Sequence, residues 1–283
     1  RPVFADVSLE TFNIDPTQVR ALITPSTRAI LPVHLFGLPA AMEELLDVAQ
    51  RHGLWVIEDA ACALGATYHD QPCGTMGLVG CFSLHPRKAI TTGEGGLVVT
   101  GDDALAGRLR SLRNHGMVVG LGGPEFVAPG LNYRLTDFQG AMGVVQLERL
   151  DQILGTRRRL AAVYDAALAD IPWLQRPPFP GAPGNSSAPV GSQHIYQSYV
   201  TLLDKDLDRP SIMAALRGMG VECTIGTYAC HAQPFFQQRY GYRPGDLPNS
   251  YLAFQRALTL PLHSRMSAQD VEFVIQVLRR AVP

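Results

Sequence analysis

The stretch Gly80-Cys81-Phe82-Ser83-Leu84-His85-Pro86-Arg87-Lys88, with Thr91-Thr92-Gly93-Glu94-Gly95-Gly96 close behind it, decides how the chain is read. Its first half is apolar and strand-like. Pro86 and the charged pair Arg87-Lys88 then end it in a polar loop. Gly93, Gly95 and Gly96 make the following backbone permissive, so the loop is expected to fold back into a second strand, Leu97-Val98-Val99-Thr100. Upstream, Trp55-Val56-Ile57-Glu58 reads as a buried strand that ends in Asp59-Ala60-Ala61-Cys62. An acid thus stands at one strand end and an amine beyond another.

Outward from this pair, short apolar runs alternate with helical patterns. Val3–Val7 reads as a core strand. Asp15 caps a helix that carries Pro16 at its first position and runs to Ile23. A strand over Ala29–Val33 precedes a helix over Ala40–His52, with Met42, Leu45, Leu46 and Ala49 at helical spacing. Strands at Leu54–Ile57, Val79–Leu84 and Leu97–Thr100 lead to a helix from Asp103 to Arg113. This alternation predicts an α/β fold with a mostly parallel, helix-covered sheet. Ligands in such sheets bind beyond the carboxyl ends of the strands, where Asp59 and Lys88 both lie.

A single long helical pattern runs from Thr136 to Leu168, and Arg176–Ser192 reads as an exposed Pro-, Gly- and Ser-rich loop. Beyond it come strands at Tyr196–Leu203 and Val221–Ile225, a helix at Arg209–Met219 and an amphipathic helix at Ala268–Ala281. Two domains are expected: a large one over 1–150 and a smaller C-terminal α/β one over 151–283.

The 283 residues leave ample room for a buried core. A net charge of −1 gives no general attraction to nucleic acid or to an anionic membrane. No apolar run approaches the roughly 20 residues of a membrane span, and no signal peptide is recognisable, so a cytoplasmic protein is expected. The five cysteines are odd in number and form no CxxC pair, which argues against a zinc site or disulfide framework. No metal is expected.

A lysine and a carboxylate converging on one ligand are what pyridoxal 5'-phosphate requires: an amine to form its Schiff base and an acid facing its pyridine nitrogen. The chain resembles the DegT/DnrJ/EryC1/StrS sugar aminotransferases, which have the aspartate aminotransferase fold (fold type I). The resemblance runs from about Pro2 to the C-terminus. It is carried by Pro32-Val33-His34-Leu35-Phe36-Gly37, Glu58-Asp59-Ala60-Ala61, Phe82 to Lys88, Thr92-Gly93-Glu94-Gly95-Gly96 and Arg113-Asn114-His115-Gly116. Gly130 to Asp137, Gln146 to Leu150 and Leu260-Pro261-Leu262-His263 follow in family order. The family usually has further sequence ahead of this, including a Ser-Gly-Thr-type loop that grips the cofactor phosphate. This chain is therefore expected to be the greater part of a longer protein.

The resemblance implies roles for individual residues. Lys88 forms the Schiff base and then moves a proton between substrate and cofactor. Asp59 keeps the pyridine nitrogen protonated, and Ala61 offers a small surface on which the ring packs flat. Cys62 stands where the family mostly has Gln or His donating to the cofactor 3'-oxygen; a thiol donates more weakly. Ser83 is implied on the cofactor phosphate. Asn132 is implied to reach the phosphate of a neighbouring subunit, which makes a homodimer with shared active sites a condition of catalysis. His85, Tyr228 and His231 are implied near the substrate. Arg87 and Arg134 are candidates for a donor carboxylate or a sugar-nucleotide pyrophosphate, since guanidinium pairs bidentately with either.

The activity implied is transfer of an amino group from an amino acid, glutamate being the expected donor, to a keto group on a nucleotide-linked deoxysugar. The rival readings are a dehydratase on the same scaffold, which Lys88 argues against because the known version has histidine there, and a non-catalytic regulatory protein.

Overall fold

The structure, a computed structural model, describes residues 1–177 and 191–282. Most of the expected loop over Arg176–Ser192 lies outside these residues. In chain order the N-terminal half contains α1 (Pro16–Leu22), β1 (Ala29–Ile30), α2 (Met42–His52), β2 (Trp55–Asp59), β3 (Thr67–Tyr68), β4 (Gln71–Pro72), β5 (Val79–Ser83), β6 (Gly96–Val99) and α3 (Asp103–Leu112). Then come β7 (Met117–Gly120), β8 (Gly123–Phe126), α4 (Asp137–Glu148) and α5 (Leu150–Ala167). The C-terminal half contains β9 (Leu174–Gln175), β10 (Tyr199–Leu203), α6 (Arg209–Gly218), β11 (Thr224–Ile225), α7 (Pro234–Tyr240), α8 (Pro248–Arg256), β12 (Ala257–Leu260) and α9 (Ala268–Ala281).

The first sheet has the order β1-β2-β5-β6, with β1, β2 and β5 parallel and β6 antiparallel. It is mixed because the glycine-rich return after Lys88 folds the chain straight back, as its composition predicts. Val56 and Ile30 pack against Met42, Leu45, Val48 and Ala49 of α2. The second sheet, β11-β12-β10-β9, is antiparallel. Its strand β10 is buried on both faces. Tyr199 and Leu203 meet α5, α6 and α9, while Val200 and Leu202 meet Phe12, Phe36 and Ala253. That explains an almost continuous apolar strand in an antiparallel sheet.

The Asp15 cap is where the sequence marks it, and further helices are capped by side chains. Asp15 accepts from Thr17, Asp102 from Leu105, and Ser267 forms a capping box with Asp270 at the start of α9.

Three expectations are corrected. Val3–Val7 is not a core strand: Val3 is 61% exposed and only Val7 makes a bridge, to Ile14. The segment is instead tied to the C-terminal half. Asp6 accepts from the Asn249 and Ser250 amides at the start of α8, and Phe4 packs edge-on against Phe236. The long helix expected from Thr136 is two helices, broken at Arg149, where no Pro or Gly marks the break. Strand β10 starts at Tyr199 rather than Tyr196, because Tyr196 has a left-handed backbone (φ +50°) that no strand accommodates. Among the described residues, no helix is long and apolar enough to cross a membrane.

Candidate active site

Strand register sets the geometry. Asp59 is paired with Cys81 across the parallel β2/β5 ladder, so the two side chains leave the sheet on the same side. Ser83, two residues beyond Cys81, shares that side. Val56 and Glu58 point the other way, Val56 towards α2 and Glu58 towards His34 and the 74–77 loop. Burial raises the pKa of the Cys81 thiol, and the neighbouring negative charge of Asp59 raises it further.

After Asp59 the chain turns sharply. The Ala60 amide donates to the Cys81 carbonyl (2.9 Å), and Ala60, Ala63 and Ala66 are packed inward against Leu154 and Ile195. Ala61 and Cys62 are left half-buried at the top of the turn. The Ala61 amide donates to Asp59 Oδ1 (3.0 Å), which leaves Oδ2 without a hydrogen-bond partner among the described residues.

The Lys88 loop meets this turn. Lys88 Nζ lies 3.2 Å from Cys62 Sγ, so the amine reaches the same few residues that Asp59 opens. The loop is held at several points. The Lys88 amide donates to the His85 carbonyl, the Arg87 amide to His85 Nδ1, and the His85 amide to Ser83 Oγ. Thr91 Oγ1 and the Thr92 amide donate to the Leu84 carbonyl, and the Leu84 amide to the Gly95 carbonyl, closing the return turn. Gln197 Nε2 donates to the Arg87 carbonyl (2.6 Å), which ties the loop to the C-terminal half. Arg157 of α5 in turn holds that segment, donating to the Tyr196, Gln197 and Leu262 carbonyls. Burial lowers the pKa of His194, beside it, to about 3, so its ring is neutral and Nδ1 accepts from the Tyr196 amide.

A buried acid beneath the site was not singled out as functional by sequence reasoning. Glu58, adjacent to Asp59, is fully buried and accepts from His34 Nε2 (2.9 Å) and from the amides of Gly74 (2.7 Å), Met76 (2.7 Å) and Gly77 (2.6 Å). The Ala40 amide donates to His34 Nδ1, which puts the ring proton on Nε2, facing Glu58. Burial opposes ionisation of Glu58, but the hydrogen bonds from His34, Gly77 and Gly74 outweigh it and hold the carboxyl below its ordinary range. This arrangement lays the 74–77 loop across the sheet, directly over Gly80. A Cβ built on Gly80 would meet the Gly74 carbonyl oxygen at 1.9 Å. The signal available in the sequence was an acid inside an apolar strand, which is costly unless paired.

The remaining candidates fall in three places. His85 and Arg87 flank Lys88; His85 Nε2 is 3.7 Å from Glu94 Oε1, and Arg87 is exposed. Asn132 and Arg134 belong to a neighbouring cluster: Asn132 bridges Asn114, and Arg134 contacts Asn114 Oδ1 (2.9 Å) and His115 Nε2 (2.7 Å). A recess of about 370 Å³ opens there, lined by Arg110, Arg113 and Arg134 among others. The cluster is joined to the Lys88 loop through Gln139, whose Nε2 donates to the Glu94 carbonyl. Tyr228 and His231 lie in the C-terminal half. Tyr228 is 64% exposed, with its ring near Phe254. His231 is only 1% exposed, and its Nε2 is 3.1 Å from the Pro244 carbonyl. Its enclosed ring holds the loop at Pro244 in place.

Comparison with known proteins bears on the family and the fold. The sequence model of the DegT/DnrJ/EryC1/StrS aminotransferase family matches residues 1–279. The spore coat polysaccharide biosynthesis protein SpsC of Bacillus subtilis is 37% identical over 99% of the chain and 73% of its own length. GDP-perosamine synthase of Caulobacter vibrioides is 36% identical over 98% of the chain and 72% of its own. Among solved structures, Helicobacter pylori PseC, an aminotransferase of pseudoaminic acid biosynthesis, superposes with a TM-score of 0.91 at 26% identity, covering 99% of this chain and 73% of that one.

Proposed function

The chain belongs to the DegT/DnrJ/EryC1/StrS aminotransferase family, and from that premise we propose that it moves an amino group from glutamate to a keto group on a nucleotide-linked deoxysugar. It is a sugar aminotransferase, and its cofactor is pyridoxal 5'-phosphate. The sugar acceptor is supported by the names of its relatives, a GDP-sugar enzyme and a polysaccharide biosynthesis protein.

The observation that carries the reading is the 3.2 Å approach of the Lys88 amine to Cys62, within the turn opened by Asp59. The donor set fits the cofactor: an amine, a carboxylate with one oxygen open, and a serine hydroxyl on the same side of one sheet. When bound, pyridoxal phosphate supplies an electron-withdrawing ring that stabilises negative charge at the reacting carbon. Lys88 would anchor it, then carry the proton on Nζ away from the donor Cα. Asp59 would keep a proton on the ring nitrogen through Oδ2. Ala61 would leave room for a flat ring, Cys62 would offer a thiol at its edge, and Ser83 would serve the phosphate. Arg87 and Arg134 are the guanidinium groups available to a carboxylate or pyrophosphate.

A homodimer belongs to the same proposal, with Asn132 serving the partner's site and the chain dividing into large and small domains near residue 150. Helix α4 supports the dimer, for it buries none of its residues and leaves Phe138 89% exposed. Val119 and Phe126 of the β7/β8 hairpin are also exposed, at 81% and 70%, and exposed apolar residues of this kind mark interfaces when they form a patch.

The test is to incubate the protein with pyridoxal phosphate, glutamate and a nucleotide-linked ketosugar and to weigh the products. An aminosugar formed with 2-oxoglutarate, and lost in Lys88→Ala, is the expected result. A deoxysugar without nitrogen would mark dehydration, and turnover undiminished in Lys88→Ala would remove the lysine from the reaction.

A further inference from the structure

Cys62 and Lys88 are both half-buried, and the packed turn after β2 and the loop after β5 bring them within 3.2 Å. The other thiols are placed differently. Burial raises the pKa of Cys73, Cys81 and Cys223, which makes them poor thiolates, and Cys230 is exposed in the C-terminal half. The chain has two lysines, and the second, Lys205, is exposed beyond β10. One thiol and one amine are therefore singled out by position.

We propose that Cys62 and Lys88 form a redox modification site, in which a peroxide oxidises the thiol and the lysine amine then closes a reversible sulfenamide. In the first step the Cys62 thiolate attacks a peroxide oxygen. The O–O bond breaks, sulfur is oxidised to sulfenic acid, and the peroxide is reduced, leaving as water when hydrogen peroxide is the oxidant. In the second step the neutral Lys88 Nζ attacks that sulfur. An N–S bond forms, the S–O bond breaks, and the hydroxyl departs as water with a proton from nitrogen. Sulfenic acids condense in this way with thiols and with backbone nitrogen, and here the amine of Lys88 takes the place of the backbone nitrogen. Two equivalents of an external thiol reverse the bond, regenerating the cysteine and the amine and leaving a disulfide. The flexible stem of Lys88 closes the remaining gap by changing rotamer.

The consequence rests on the proposed role of Lys88 as cofactor anchor. A nitrogen bonded to sulfur does not accept pyridoxal phosphate, and a lysine already carrying the cofactor does not reach sulfur. Oxidation therefore inactivates the unloaded enzyme, and bound cofactor protects it.

The test treats the protein, with and without pyridoxal phosphate, with hydrogen peroxide and maps tryptic peptides by tandem mass spectrometry. In the unloaded protein, peptide 52–87 is expected joined to peptide 88–108, lighter than their sum by two hydrogens and separated again by dithiothreitol. The joined pair should be absent from Cys62→Ser and depleted at least tenfold in the loaded protein. Lys88→Arg should instead accumulate sulfenic acid at Cys62, trapped by dimedone. Oxidation of Cys62 to sulfinic acid with Lys88 unmodified, a disulfide from Cys62, or equal cross-linking with and without cofactor would each overturn the proposal. Cofactor capture on Lys88 is read separately, so either idea fails without the other.

Discussion

Replacing Glu58 with glutamine tests how the site is supported from beneath. The carboxylate accepts His34 Nε2 and the Gly74 amide on one oxygen, and the Met76 and Gly77 amides on the other. Glutamine keeps one acceptor oxygen and presents a nitrogen with only donors in place of the other. Whichever way the amide turns, two buried donors then face a donor. At about 1.5–3 kcal/mol for each hydrogen bond to a charged group, the loss is about 3–6 kcal/mol before relief from burying a charge. That relief brings the expectation to about 3–4 kcal/mol, or roughly 10 °C in Tm for a chain of this size. Urea unfolding followed by circular dichroism measures it.

The pH dependence carries a sign. The folded carboxyl sits below its ordinary value of 4.5, so its contribution is complete above that value and is lost as pH falls through the lowered one. Wild type and Glu58→Gln should therefore differ most at neutral pH and converge below pH 4.5. A loss under about 1 kcal/mol, within the ordinary range for single substitutions, would refute the reasoning, as would a gap that does not change with pH.

Further outcomes are expected elsewhere. Gly80→Ala places a Cβ against the Gly74 backbone and should cost about 2–3 kcal/mol in the same unfolding assay. Gln197→Leu frees the Arg87 carbonyl and, at about 1 kcal/mol, should weaken cofactor binding roughly fivefold in a titration while the fold persists. Phe138→Asp puts a charge on the exposed face of α4 and should shift the protein towards monomer in sedimentation velocity; an unchanged dimer would remove α4 from the interface.

The parts of the fold written in local chemistry were legible. Asp15-Pro16 marks a helix start because a side-chain oxygen satisfies a free amide there, and the glycines after Lys88 mark the return of β6. Asp59 at one strand end and Lys88 beyond another were legible, and the parallel pairing of β2 with β5 sets those two strand ends side by side. What was not legible depends on distant partners. Val3–Val7 has a strand's composition but is fixed by α8 and Phe236, whose approach no local pattern encodes. The break at Arg149 reflects a change in what each helix meets: α5 packs on the C-terminal core, while α4 buries none of its residues. Glu58 could be read as a strand acid but not as the anchor of the 74–77 loop, because its amide donors become neighbours only in the folded sheet.

The most direct measurement is to reduce the cofactor-treated protein with borohydride and locate the pyridoxyl group by peptide mass spectrometry. Of the two lysines, Lys88 and Lys205, the label should be found on Lys88 alone and should vanish in Lys88→Ala. A label on Lys205, or cofactor fixed to the protein when Lys88 is gone, would contradict the account.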